Sequence, residues 1–325
     1  MNVDTYERLY VVPDGILYQI PFGILPTTQP ANRYSYGSTH YLIENHSISY
    51  YTSLQELYHS WKPSHDEFKY EYAGFGIDKF NNRYSSLASN KVLGALPNTV
   101  KEVEAIDSLL PGSQKKKLVF IDNSATESAF KRIAPETRIL HLATHSEVFF
   151  NEPLFSVIYM HKKVFQNASL GDDPPQDDGQ IHAYELFPLH LKSDMVMLSS
   201  CESGTGSYIT GSGLIGLNRA FTYAGVKSLV MNMWKVDDKA AETVSVQFYK
   251  YLKQGLPKDE ALRKAKLYYL NNIDSDPLKW GSYIVTGKIS PLFHPIWDLT
   301  TIATRFLILL ITIVAGYVTY RFNKS

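Results

Sequence analysis

The sequence predicts an α/β fold: a mostly parallel sheet flanked by helices, with a β-rich N-terminal part and a C-terminal transmembrane helix. Three observations predict it. From about residue 96 onward, short apolar runs alternate with amphipathic, cappable segments, the pattern of parallel strands joined by crossover helices. The residues up to about 75 carry aromatic and β-branched runs broken by turn signals. Near the end, Phe306 to Tyr320 is apolar and uncharged. The expected division is a domain over 1–292, with its β-rich part at about 1–75 and its chemically interesting part at about 96–290, followed by a helix over 299–321.

Element by element, Leu9 to Val12 runs into the turn Pro13-Asp14-Gly15 and then Ile16 to Ile20, which reads as a hairpin. A second strand pair is expected at Tyr41–Ile43 and Ser47–Tyr51. Leu54, Leu57, Tyr58 and Trp61 share one face of a helix over 53–61. A strand follows at Tyr70–Phe75, and the polar stretch from Asp78 to Ala95 reads as a loop. Asn98 is placed to cap a helix through Val103, Ile106 and Leu110, which Pro111-Gly112 ends. Lys117–Asp122 is a strand, and Ser124 with Glu127 forms a capping box for a helix over 125–133. Strands are expected within Arg138–Ser146, at Ser156–Met160, from Asp194, and at Lys227–Trp234, with a loop at Gly171–Gly179 and a short helix at Tyr184–Leu189. Helices are expected over 213–224, 239–252 and 258–270, and a last strand over 280–285. No internal repeat is visible, which excludes a solenoid.

Composition narrows the function. Hydrophobic residues make up 44% and charged residues 20%, so the chain is globular rather than disordered. Lys plus Arg and Asp plus Glu are 32 each, which leaves no electrostatic footprint for nucleic acid. A single cysteine cannot form an internal disulfide, and with no signal peptide in the sequence the domain is expected to face a reducing compartment, the cytoplasm. His141 and His145 have the four-residue spacing of a helical zinc pair. They fall in a strand-like run, however, and lack the glutamate after the first histidine, so no metal is expected. Phe306–Tyr320 alone spans about 22 Å at 1.5 Å per residue. Adding Leu299–Arg305 lengthens it enough to cross a ~30 Å core if Arg305 snorkels. Trp297, Tyr317 and Tyr320 stand where interface aromatics sit. A single-pass tail anchor is the expectation, with a buried C-terminal helix as the alternative.

Two apolar runs end in small polar residues: Arg138-Ile139-Leu140-His141-Leu142-Ala143-Thr144-His145-Ser146 and Met197-Leu198-Ser199-Ser200-Cys201-Glu202-Ser203-Gly204. Each reads as a buried strand that delivers its last residue to a sheet edge. One edge receives an imidazole, the other the only thiol. Active sites of parallel sheets gather at the carboxyl ends of strands. Only a few per cent of a thiol of pKa ~8.5 is thiolate at neutral pH. A neighbouring imidazole raises that fraction and later protonates the leaving amine. The competing reading is a small buried hydrophobe at a strand end. Gly211-Ser212-Gly213-Leu214-Ile215-Gly216 matches the dinucleotide fingerprint, with Asp237 and Asp238 about twenty residues on, but no strand directly precedes it, so nucleotide binding is a distant third.

Several blocks follow one another along the chain: Val12-Pro13-Asp14-Gly15 with Ile20-Pro21-Phe22; Tyr41-Leu42-Ile43-Glu44; Ser49 to Leu54; Ala125-Thr126-Glu127; His141 to His145; Ser199 to Gly204; Gly213-Leu214 through Arg219-Ala220-Phe221 and Ala224-Gly225; Met233 to Asp238; and Trp280. In that order they resemble the CHAT domain, a caspase- and separase-like cysteine peptidase of clan CD. Cys201 stands 56 residues after His145, close to the roughly 50 seen in caspases. The resemblance implies a caspase-like fold, Cys201 as nucleophile, His145 as base, and no cofactor. Backbone N–H groups of Cys201 and Ser146 would be the oxyanion donors, although the family often has glycine at the second position. Ser199 would line the specificity pocket. Glu202 and Asp237 would either add acid to that pocket or serve as solvated or capping residues, the second being preferred. The clan works as a dyad. The implied activity is cleavage of a protein partner in regulatory proteolysis, in bacterial defence or cell-death signalling. The alternative is a catalytically silent CHAT-fold scaffold or sensor at the membrane. No helical repeat precedes the domain here, so regulation is expected from membrane clustering or from a separate activating subunit.

Overall fold

The computed structural model describes residues 6–30, 32, 34–63, 66–80, 83–85, 90–112, 115–149, 152–162, 177–199, 212–293 and 312. In chain order the elements are β1 (Arg8–Val11), β2 (Ser47–Tyr50), α1 (Leu54–Ser60), β3 (Tyr70–Gly76), β4 (Arg83–Ser85), β5 (Asn90–Val92) and α2 (Thr99–Leu109). Then come β6 (Lys116–Ile121), α3 (Glu127–Ile133), β7 (Thr137–Ala143), β8 (Ser146–Glu147), β9 (Val157–Tyr159), β10 (Gln180–His182) and α4 (Ala183–Leu186). The remainder are β11 (Met195–Leu198), α5 (Ser212–Ala224), β12 (Ser228–Asn232), α6 (Asp238–Lys253), α7 (Lys258–Asn272), α8 (Pro277–Trp280) and β13 (Tyr283–Gly287).

Eight strands form one sheet in the order β1-β2-β13-β12-β11-β7-β3-β6. Every pairing in it is parallel except β12 with β13. The mainly parallel sheet flanked by helices is therefore as the alternation of elements requires. Strand periodicity sorts the core into two layers. Phe75, Leu140, Leu142, Val196 and Leu198 pack with Phe130 of α3 and Phe221 of α5. Their neighbours Tyr72, Ile139, Met195, Met197 and Val230 pack with Ile106 of α2, Phe248 of α6 and Ala265 of α7. Each fully buried leucine or phenylalanine contributes about 1.5–3 kcal/mol.

Helix ends follow local chemistry. Asp237 caps α6 by accepting from the Lys239 and Ala240 N–H groups, and Lys250 and Lys253 sit in its last turn. α5 ends at Gly225, whose φ of 106° no side chain adopts easily. α2 lies close to β3 because residue 74 is glycine. A Cβ there would stand 2.5 Å from both the Tyr72 hydroxyl and Val103 Cγ1. Gly74→Ala is expected to force α2 outward and lower stability by about 1–3 kcal/mol, read as a fall in the urea midpoint. An unchanged midpoint would show that α2 yields without cost.

Several expectations need correction. Ile16–Ile20 is not the second arm of a hairpin. Gly15–Gln19 is a 3-10 helix, because the Asp14 carboxylate accepts from Gly15 N–H and Gly15 takes a φ of 54°. The partner of β1 is β2, in parallel. Leu42–Glu44 likewise coils into a 3-10 turn, with the Glu44 carboxylate accepting from Tyr41 N–H at 2.9 Å. The first sixty residues thus contribute two strands to the sheet rather than two hairpins. Residues 78–95 are not all loop, since β4 and β5 pair antiparallel within them. Asn98 does not cap α2; its N–H and amide both donate to Asp238 at 2.8 Å, tying α2 to α6. Thr126, not Ser124, caps α3; Ser124 Oγ instead accepts from Ile121 N–H at 2.7 Å. Trp280 lies in α8, just before the last strand. On α1 the apolar stripe exists but is turned outward, with Leu54, Tyr58 and Trp61 all more than half exposed. Periodicity shows that a stripe exists, not what covers it.

Among the described residues no helix is long and apolar enough to cross a membrane. The transmembrane expectation for 299–321 falls outside the described residues, residue 312 excepted.

Candidate functional site

β7 and β11 are adjacent and parallel, with Leu142 opposite Leu198. The backbone pairing continues one step further, as Ser199 N–H donates to the Leu142 carbonyl at 2.9 Å. Three positions beyond Leu142 is His145, and three beyond Leu198 is Cys201. The register therefore brings the ends of β7 and β11 level at the carboxyl edge of the sheet. The described chain stops at Ser199, two residues before Cys201; Cys201 and Glu202 lie outside the described residues.

His145 is buried, and four observations fix it. Its carbonyl accepts from Tyr159 N–H at 2.9 Å. The preceding Thr144 hydroxyl donates to the Tyr159 carbonyl at 2.5 Å. Its Nε2 lies 2.8 Å from the Gly94 carbonyl. The Phe80 ring lies against the imidazole, centroids 4.9 Å apart and planes inclined by 50°. A carbonyl can only accept, so Nε2 carries the proton and donates. That assigns the tautomer: in the neutral ring, Nδ1 holds the lone pair able to take a proton. Residues 78–96, which bring Phe80 and Gly94, are closed on themselves by Leu96 N–H donating to the Asp78 carbonyl at 2.8 Å. Asp78 N–H in turn donates to the Asp122 carboxylate at 2.9 Å. Neither Phe80 nor Gly94 was identified from sequence. The one available signal was the apolar Leu93-Gly94-Ala95-Leu96 inside a stretch otherwise read as polar loop.

Ser146 opens β8 and is buried, with its backbone outside the left-handed region. Serine in place of glycine therefore carries no conformational penalty here. Ser199 is also buried. Its hydroxyl lies 3.2 Å from Ser245 Oγ of α6 and 3.4 Å from the Tyr283 hydroxyl of β13. These contacts hold the end of β11 against α6. Asp237 is exposed and serves as the α6 cap already described. His141 belongs to a different environment from His145. It is fully buried beneath α2 and α6, with Nε2 3.1 Å from Glu102 Oε1 and Nδ1 3.3 Å from the Tyr249 hydroxyl. The Glu102 contact is close but is not aligned as a hydrogen bond. No group of metal-ligating side chains occurs among the described residues.

The CHAT domain model matches residues 2–288, and the chain belongs to the CHAT domain family. It is similar to tetratricopeptide repeat protein 28 of Homo sapiens, at 24% identity over 323 residues, and to that of Mus musculus at 23%. In both cases the match covers 90% of this chain and 12% of the relative, so the chain spans only a small part of those proteins. Both relatives are mammalian, and they lend no support to a bacterial setting. Among solved structures it is similar to the Saccharomyces cerevisiae separase–securin complex, with a TM-score of 0.45 and 13% identity over 74% of this chain and 14% of that one. It is also similar to the Arg-specific cysteine proteinase gingipain R, with a TM-score of 0.48 and 8% identity over 84% of this chain and 60% of that one.

Proposed function

We propose that the chain is a cysteine endopeptidase acting on a protein substrate through a Cys201–His145 dyad, with residues 299–321 anchoring it in a membrane. The observation that carries this reading is the His145 Nε2–Gly94 carbonyl bond, because it commits Nε2 as donor and leaves Nδ1 as the base. In this mechanism Nδ1 takes the Cys201 proton, and the thiolate adds to the peptide carbonyl. Backbone N–H groups of Cys201 and Ser146 receive the developing oxyanion. The imidazolium then protonates the departing amine, leaving an acyl-enzyme. His145 next deprotonates a water that attacks this thioester, and the C–S bond breaks as the imidazolium returns the proton to the Cys201 sulfur. A backbone carbonyl performs the orienting role that a carboxylate performs in a triad, so two side chains suffice. Cleavage of a specific partner at the membrane, in a signalling role such as cell death, is the biological form this reading takes.

The test is the rate of Cys201 alkylation against pH in the full chain, where the lone cysteine makes the signal unambiguous. The expected profile stays fast well below the ordinary thiol pKa of ~8.5. Cys201→Ala is expected to abolish cleavage of a peptide library followed by mass spectrometry. A slow profile of an ordinary thiol, with no cleavage, would instead favour the silent scaffold.

A further inference from the structure

The end of the sheet opposite His145 holds a second feature that the peptidase reading does not use. β7, β11 and β12 run parallel, so their starts share one edge, and antiparallel β13 ends there. At that edge lies a cavity of about 250 Å³, walled by the C-terminal half of α1, the turn from α5 into β12 and the end of β13. Among the described residues its lining carries Lys62, Lys227, Lys288 and His59 against a single carboxylate, Glu56. That carboxylate is already engaged, accepting from both Thr52 N–H and the Thr52 hydroxyl at 2.6 Å. Two glycines keep the floor tight. A Cβ on Gly225 would stand 2.2 Å from the Leu191 carbonyl, and one on Gly287 would stand 2.3 Å from the Lys227 carbonyl.

The lysines are drawn together by the fold. Lys288 Nζ donates to the Lys62 carbonyl at 2.8 Å, and Lys288 N–H donates to the Lys227 carbonyl at 2.7 Å. Lys227 Nζ lies 2.8 Å from Asp66 and 2.6 Å from Asp194. Behind them Lys258 Nζ donates to the Lys288 carbonyl at 2.9 Å. Burial, and after it the charge of Lys227, holds the Lys288 amine below its ordinary range. Asp66 and Asp194 answer the charge of Lys227, whereas the one acidic side chain of the described lining, Glu56, is turned to Thr52. The volume falls below the roughly 300 Å³ of a drug-sized pocket, which suits a small, highly charged anion, and lysines bind phosphate as point charges.

We propose that this cavity is a binding site for a phosphate group, either a soluble phosphate ester or the headgroup of a phosphorylated lipid. It is remote from His145 and does not depend on the peptidase reading. An anion there would compete with Asp194 for Lys227 at the starts of β11 and β12, the first of which leads toward Cys201.

Thermal unfolding of the full chain, with pyrophosphate against chloride at matched ionic strength, tests the soluble arm. Pyrophosphate is expected to raise the midpoint by several degrees, and the Lys62→Gln/Lys288→Gln double variant is expected to lose that shift. In the unsubstituted chain, pyrophosphate is expected to protect Lys62 and Lys288 from acetylation several-fold more than exposed Lys69, a measurement independent of how the variant folds. In the lipid arm, sedimentation with phosphatidylcholine vesicles is compared with and without phosphatidic acid. A gain with phosphatidic acid that the double variant loses assigns the phosphate to a headgroup. A pyrophosphate response with no such gain assigns it to a soluble ester. No response in either arm, or a response that survives both substitutions without lysine protection, overturns the proposal.

Discussion

His145→Ala is expected to lower kcat/KM for peptide cleavage by about 10³-fold or more, since it removes both the base for the thiol and the acid for the leaving amine. The same substitution is expected to return the alkylation profile of Cys201 to that of an ordinary thiol with pKa ~8.5. Two readouts are needed because His145 is also a packing residue. Its ring meets Phe80 and its Nε2 holds the Gly94 carbonyl, so alanine loosens the 78–96 segment and lowers stability. A structural defect alone would reduce activity in proportion to the unfolded fraction and would leave the thiol profile of the folded fraction unchanged. A dyad defect moves the profile at temperatures where the chain is fully folded. An alkylation profile identical in the two proteins would remove His145 from the mechanism, whatever happened to the rate of cleavage.

The elements that support the site were legible because their signals are local. Apolar runs such as Met195–Leu198 and Thr137–Ala143 are bounded by polar residues, and both proved to be central parallel strands. The helices expected over 239–252 and 258–270 are α6 and α7, each within two residues of its expected ends. Failures arose where one side chain outweighed the pattern. Asp14 and Glu44 each bind a nearby backbone N–H and coil a segment whose composition is strand-like. Asn98 illustrates the converse, a good capping residue drawn to Asp238, 140 positions away in sequence. The pairing of His145 with Gly94 was invisible for another reason. The partner is a backbone carbonyl, which every residue has, and 51 positions separate the two. Composition cannot mark such a contact. Only the order β7-β3-β6 in the sheet, with the loop after β3 folding back over the end of β7, brings it about.

Stability is expected to climb as pH rises from about 7 to 9, a range over which a chain whose lysines were all exposed would show no lysine-driven change. Lys258 opens α7 and Lys266 lies two turns on, and both side chains are buried. Lys258 Nζ donates to the Lys288 carbonyl and Lys266 Nζ to the Gly281 carbonyl at 3.1 Å. Neither has a carboxylate within ion-pair distance among the described residues. Burial pushes both amines down to about 7, from an ordinary value of ~10.4 in the unfolded chain. Below pH 7 both states are protonated, and the folded state bears the full cost of two buried ammonium groups. Between 7 and the unfolded value, the folded amines are neutral while the unfolded ones remain charged. Unfolding then takes up protons, so each lysine adds about 1.4 kcal/mol of stability per pH unit. The window is best read below pH 9, because buried Tyr50 and Tyr283 are held protonated above their usual range and oppose the trend at higher pH. Lys266→Met keeps the apolar stem and removes the ammonium, at the cost of about 1–3 kcal/mol for the unpartnered Gly281 carbonyl. It is expected to raise stability at pH 7 by on the order of 2 kcal/mol and to halve the slope, since Lys258 alone still titrates. Urea unfolding at pH 7, 8 and 9 reads both quantities. A parent profile that is flat over that range, or a Lys266→Met protein less stable than its parent at pH 7, would mean that the two amines stay charged in the folded chain.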